Sequence, residues 1–193
     1  MIKNSLEEAR QTIDKFVSAP ATEEAIEKSA CFISDALQKG GKVITCGNGG
    51  SLCDATHFAE ELTGRFRNNR RPLPAIAIND PAHITCVAND YGYDHIFSNY
   101  IEALGNENDI LLGFSTSGNS ENVVRAAVKA REKGMKIIGM TRKGENKLSE
   151  LADVTIAVDH EGYSDRIQEM HILAAHIIIE RVEQILSIDQ INK

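Results

Sequence analysis

No run of basic residues occurs anywhere in this chain of 193 residues, and its formal net charge is −7. Neutralising a nucleic-acid backbone takes clustered Lys and Arg, so non-specific nucleic-acid binding is excluded as a function class. Apolar runs of membrane-spanning length are missing too. The densest, Ile177-Ile178-Ile179, is bounded by His176 and Glu180. The first ten residues carry Glu7, Glu8 and Arg10 and lack the apolar stretch of a signal peptide. Cysteines are few: Cys31, Cys46, Cys53 and Cys86 show no paired metal-ligand spacing. They read as reduced, mostly buried thiols of a cytoplasmic protein. Repeats, low-complexity tracts and obvious linkers are absent, so the 193 residues read as one domain with a sizeable core. A small phosphorylated ligand stays open, because a few aimed N–H groups outweigh global charge.

What is present centres on residues 42–64. Lys42-Val43-Ile44-Thr45-Cys46 carries β-branched residues and reads as a strand. Gly47-Asn48-Gly49-Gly50-Ser51 follows, and then a helix from Leu52 to Leu62 with Leu52, Ala55, Ala59 and Leu62 on its apolar stripe. Strand, glycine-rich turn and helix N-terminus together make an anion site: glycines admit a close backbone approach, and the helix start offers unpaired donors. The spacing fits neither a Walker loop nor the dinucleotide fingerprint. His57 and Glu61 are four apart and share one helix face. They suggest a metal pair or an acid/base pair, although by itself the spacing equally describes a surface His–Glu pair.

The rest of the chain alternates. Helices are expected over 2–17 and, after a break at Pro20, from a Thr22 cap to Gly40-Gly41. Leu6, Ala9, Ile13 and Phe16 lie near helical spacing in the first. Arg65 to Pro74 is basic and turn-rich. Further strands are expected at 74–78, 109–114, 136–140 and 154–158, and helices at 81–87, 94–104, 121–133, 147–151 and 164–187, with 89–93 as a loop. Five strands alternating with helices predict an α/β fold: a three-layer, five-stranded parallel sheet. Ligands of such sheets sit beyond the carboxyl ends of the strands, so the turns at Asn48 and Ser115 should face one crevice.

Ser115-Thr116-Ser117-Gly118-Asn119-Ser120 supplies four hydroxyls in six positions at a helix start. One would serve as a cap; four suit a phosphate dianion. The last helix carries Asp165, Arg166, Gln168, Glu169, His171 and His176 among apolar residues. Gln168 and His176 are eight apart, about 12 Å along an ideal helix axis, near the limit for reaching one metal. From spacing alone His176 reads as a core histidine. The first two helices and the last are more apolar than the sheet faces of a small domain require, and Ile172, Leu173, Ala175, Ile177, Ile178, Ile179, Val182, Ile185 and Leu186 go most of the way round the last, which predicts a neighbouring subunit.

Cys46–Ser51, His57–Arg65, Asn89-Asp90, Ser115–Ser120 and Arg166–His171 together resemble the phosphoheptose isomerases of the sugar-isomerase (SIS) domain superfamily, in order and over nearly the whole chain. The resemblance implies a single flavodoxin-like SIS domain over 1–193, with residues 1–40 as an N-terminal helical extension. It implies a homotetramer with active sites at subunit boundaries. It implies one divalent metal per site, usually zinc, on His57, Glu61, Gln168 and His176. Glu61 and His176 would also carry the proton chemistry. Substrate contacts would come from Asn48, Gly49, Gly50, Glu61, Asn89, Asp90, Ser115, Thr116, Ser117, Ser120 and Gln168, with Asp165 and Arg65 as weaker candidates. The implied reaction is isomerisation of sedoheptulose 7-phosphate to D-glycero-D-manno-heptose 7-phosphate, feeding nucleotide-activated heptose for surface polysaccharide. A related non-enzymatic SIS protein, which binds a replication initiator, lacks the acid and the histidine matching Glu61 and His176. Both are retained here, which favours the enzyme over a regulatory binding module.

Overall fold

The computed structural model describes residues 1–187. Its elements are α1 (Ile2–Ser18), α2 (Pro20–Gln38), β1 (Val43–Gly47), α3 (Gly50–Thr63), β2 (Ala75–Ala77), α4 (Pro81–Tyr91), a 3-10 turn (Tyr93–His95) and α5 (Ile96–Leu104). They continue with β3 (Ile110–Phe114), α6 (Glu121–Glu132), β4 (Lys136–Arg142), α7 (Lys147–Leu151), β5 (Val154–Val158) and α8 (Ser164–Ile185). The five strands form one parallel sheet in the order β2-β1-β3-β4-β5, as the alternation predicts.

Strand residues divide between the faces with the period of two that a pleated strand imposes. Ile110, Leu112 and Phe114 of β3 join the layer built by α2, α3 and α8, while Leu111 joins the layer of α4, α5, α6 and α7. All five residues of β1 and of β3 are buried, consistent with central strands covered on both sides. At the amino ends of the strands, buried Asp109 accepts from Lys42 N at 2.9 Å and Asn106 N at 2.9 Å, and pairs Lys42 Nζ at 2.6 Å. This carboxylate pins β1 beside β3.

Several expectations need correction. The second helix starts at Pro20, not at a Thr22 cap. Proline has no N–H to waste at a first helical position, and its fixed φ suits a helix start. Residues 89–91 are helical: α4 runs from the Asp80 cap, which accepts from His83 N at 2.7 Å, to Gly92 at φ 94°. Only a glycine adopts that angle without strain, so the helix stops there and not at Val87. Three of the four cysteines, Cys31, Cys53 and Cys86, are exposed; only Cys46, on central β1, is buried, and burial pushes its thiol up to about 12. The other three lie on the outward faces of amphipathic helices.

The reading of α8 also changes. Ala175, Ile178, Ile179 and Val182 are buried, and Ile172, Leu173, Ile185 and Leu186 pack against the same core, all within one chain. α2 and α3 supply the cover that a neighbouring subunit was expected to give; Ile177 stays 38% exposed. Of the helices expected to meet a neighbour, α1 is the one left uncovered. Ile2, Leu6, Ile13 and Val17 are exposed, while Thr12 and Phe16 alone are buried.

Candidate functional site

β1 and β3 are neighbours, yet β1 connects through α3 to β2 on its other side. The connections therefore part between β1 and β3, and a crevice opens at the carboxyl ends of these two strands. The turn after β1 and the loop after β3 both leave there, since Gly47 pairs with Phe114 in the sheet register.

α3 and α8 form one wall. His57 Nε2 lies 3.0 Å from His176 Nε2 and 3.3 Å from Glu61 Oε1. His57, Glu61 and His176 each offer a ligand atom, and these atoms all lie within 4.8 Å of one another. His176 stacks on Phe66, with ring centroids 5.8 Å apart. Burial pulls the His176 pKa down, helped by His57 and Arg67 and opposed by Glu61. Two imidazoles and a carboxylate so disposed fit a divalent cation of borderline softness.

The packing of this wall has an identifiable anchor. Arg70, 8% exposed, donates to the carbonyls of Leu62 at 2.9 Å and Glu61 at 2.6 Å at the end of α3, and pairs Glu183 of α8 at 2.5 Å. It caps one helix and ties it to the other, fixing His57 and Glu61 against His176. The sequence shows Arg70 only as one arginine in a basic turn.

Gln168 approaches from α8 onto the Gly turn. A Cβ added at Gly50 would sit 2.6 Å from Gln168 Oε1, so only glycine lets this amide rest there. Asn48 stands at the mouth of β1. Asn89 and Asp90 are exposed on the last turn of α4, with Asn89 Nδ2 donating to Asp90 Oδ1 at 2.7 Å. Three residues on, the Tyr93 hydroxyl donates to Asn48 Oδ1 at 2.9 Å, so this segment borders the same turn.

The Ser/Thr loop is wound tightly. Ser115 is buried, and its hydroxyl donates to Ser120 Oγ at 3.0 Å. Gly118 N donates to the Ser115 carbonyl, and Asn119 N donates to the exposed Ser117 Oγ at 3.1 Å. Gly118 has φ 67°, and a Cβ there would fall 2.0 Å from Asn146 Oδ1, so both angle and space demand glycine. Ser120 occupies the cap position of α6 without spending its hydroxyl as a cap. Thr116 is half-buried beside it. Asp165 is exposed and pairs with Arg166 at 3.6 Å; Arg65 is exposed and makes no ion pair among the described residues.

Three residues were missed from sequence. Asn122, on α6, is 3% exposed and bonds Asn48; Tyr93 bonds Asn48 as well. Asp54 precedes His57 by three on α3; its Oδ2 is buried without a partner, and burial raises its pKa to about 6 against the opposing effect of His57. Spacing on the helix could have found Asp54. Nothing local marks Asn122 or Tyr93.

The family model for the SIS domain matches residues 6–142. The chain is 56% identical over 184 residues to a phosphoheptose isomerase of Enterobacter sp. (strain 638), covering 95% of this chain and 96% of that one. Its fold superposes on the phosphoheptose isomerase of Francisella tularensis with a TM-score of 0.89 at 38% identity, covering 95% and 96% of the two chains. For the phosphoheptose isomerase of Neisseria gonorrhoeae the TM-score is 0.88 at 35% identity, covering 95% and 97%.

Proposed function

The chain belongs to the phosphoheptose isomerase family of SIS-domain proteins, and from that premise we propose how its site isomerises sedoheptulose 7-phosphate to D-glycero-D-manno-heptose 7-phosphate. The observation that carries the reading is that His57 and Glu61, on the helix that starts at the same sheet edge as the Ser115–Ser120 loop, stand within 4.8 Å of His176 by their ligand atoms. A protein that only bound a sugar phosphate would need the loop and not the triad.

Ketose–aldose isomerisation moves one proton between adjacent carbons and another between their oxygens. Glu61 takes the proton from C1 while His176 protonates the oxygen on C2, giving an enediol. His176 then takes the proton from the oxygen on C1, and Glu61 returns its proton to C2. Zinc or a similar divalent ion, held by His57, Glu61, Gln168 and His176, would supply Lewis-acid stabilisation of the charge developing on the sugar oxygens. Ser115, Thr116, Ser117 and Ser120 bind the phosphate with hydroxyls and backbone N–H groups, far from the reacting carbons, so its binding energy orients the chain of the sugar. Asn48, Gly49, Gly50 and Gln168 hold the reacting end, Asn89 and Asp90 border it, and Asp165 and Arg65 orient ligands more remotely.

The product enters nucleotide-activated heptose synthesis for surface polysaccharide, in the cytoplasm. No described helix is long and apolar enough to cross a membrane. A homotetramer completes the sites at subunit boundaries, supported by the uncovered apolar stripe of α1. We read 1–193 as the single domain, with 1–40 as its helical extension; 188–193 lie outside the described residues. Turnover of sedoheptulose 7-phosphate, measured with and without a chelator and after zinc is restored, tests the reading. Phosphate binding without turnover in the metal-loaded protein would make this a binding module instead.

A further inference from the structure

The proposed reaction needs the Gly turn and the Ser/Thr loop to hold one substrate between them at a fixed separation. We propose that Asn122 is a positioning residue that clasps these two loops together through Asn48, and that the Asn48 side-chain oxygen is thereby closed to substrate. This rests on the reading of the two loops given above.

Asn48 and Asn122 face each other as a reciprocal amide pair. Asn48 Nδ2 donates to Asn122 Oδ1 at 2.9 Å, and Asn122 Nδ2 donates to Asn48 Oδ1 at 2.9 Å. Tyr93 OH donates to the same Asn48 Oδ1 at 2.9 Å. An amide oxygen has two lone pairs, and both are now occupied. What Asn48 retains for a ligand is its backbone and one Nδ2 proton. Asn122 is anchored in turn: it is 3% exposed on the first turn of α6, and its Oδ1 also accepts from Val123 N at 3.0 Å.

The three side chains come from three separate segments. Asn48 belongs to the turn after β1, Tyr93 follows the Asn89-Asp90 end of α4, and Asn122 lies two residues beyond Ser120. The Gly turn, the segment after α4 and the first turn of α6, which directly follows the Ser/Thr loop, are thus joined at one amide at the switch point of the sheet. The two bonds of the Asn48–Asn122 pair are part-buried, where a hydrogen bond is stronger than in water, while the Tyr93 bond lies at the exposed rim. A substrate gripped at its phosphate by one loop and at its reacting end by the other is positioned only if the loops do not drift apart.

The test combines a double-mutant cycle with amide hydrogen exchange. Asn122→Ala and Asn48→Ala are made singly and together, and KM, kcat and melting temperature are measured. Each single change removes both bonds of the pair and should raise KM about tenfold, and should lower kcat less. The double variant should be no worse than either single one. Exchange should rise in the Gly49–Ser51 amides of Asn122→Ala and in the Ser117–Ser120 amides of Asn48→Ala, each change loosening the opposite loop. Should Asn122→Ala fail to fold, the Asn48→Ala exchange map and Tyr93→Phe, a mild change at an exposed position, still decide. Additive KM effects, or exchange that stays unchanged across the gap, would overturn the clasp. Crossed exchange effects in a protein that does not turn over sedoheptulose 7-phosphate would leave the clasp standing and remove the substrate reading instead.

Discussion

Single side chains carry the sharpest expectations. Glu61→Gln keeps the shape of the side chain and removes the base, so it should fold, bind inorganic phosphate and lose isomerisation. Near-normal kcat in that variant would displace Glu61 from its role. Ser117→Ala removes an exposed hydroxyl that now accepts only from Asn119 N. A hydrogen bond to a charged group is worth about 1.5–3 kcal/mol, so KM should rise roughly ten- to a hundredfold with kcat nearly unchanged. Equal phosphate affinity by calorimetry would remove this serine from the anion site. His171 makes a prediction about stability. It is fully buried, packs edge-on to Phe114, and neither ring nitrogen has a hydrogen-bond partner among the described residues. Burial pulls its pKa from 6.5 to about 4; the nearby Thr141 backbone opposes this without closing a bond. The unfolded chain therefore binds a proton between these values that the folded chain refuses. Stability is full above pH 6.5 and falls as the pH drops toward 4, by on the order of 3 kcal/mol from this group. Urea titrations at several pH values should show a shallower fall for His171→Asn than for the unaltered protein.

At the scale of elements, the site depends on how α3 and α8 are fixed, and that rests on Arg70. Its guanidinium is buried between the end of α3 and Glu183. Arg70→Met would leave Glu183 without its cation and strip the Glu61 carbonyl of the guanidinium donor, a loss on the order of 3–5 kcal/mol for a buried ion pair. The melting temperature should fall, and metal affinity should fall with it, because His57 and Glu61 are no longer held against His176. Unchanged metal affinity in a folded Arg70→Met protein would show that the wall is rigid without this tie. The elements themselves were legible wherever a periodic pattern met a strong stop. β1, β3 and α6 lie within a residue or two of the expected limits. The end of α4 was not legible, because Asn89, Asp90 and Tyr91 look like loop residues and only the angle at Gly92 sets the stop.

For the whole molecule, the open question is what covers α1. Ile2, Leu6, Ile13 and Val17 are exposed along one chain-terminal helix. A second copy of the chain is the proposed cover, in a homotetramer. Light scattering should give four times the 21.2 kDa chain mass, and Leu6→Glu with Ile13→Glu should shift it to a smaller species with lost turnover. A fully active monomer would end the subunit-boundary reading. The expectation of assembly rests on the first two helices and the last; the chain's own α2 and α3 bury most of α8, while α1 stays uncovered. A helical wheel shows that a face is apolar without showing which neighbour meets it.

The sequence by itself determined the parallel α/β sheet, because short continuous apolar runs, the mark of strands covered on both faces, alternate with helical segments along the chain. It determined the two ligand loops as well, since clustered glycines and hydroxyls after a strand have few other uses. The pairing of His57 with Glu61 was visible as a spacing of four on one helix. Only the tertiary structure decided that His176, 119 residues along the chain, stands 3.0 Å from His57 and is no ordinary core histidine. It alone decided that Asn48 is bonded to Asn122, that Arg70 ties two helices, and that α1 is left bare while α8 is covered. Local pattern fixes which way a side chain points from its own element. Which side chain it meets is set by the packing of elements far apart in sequence, and that has no local signature.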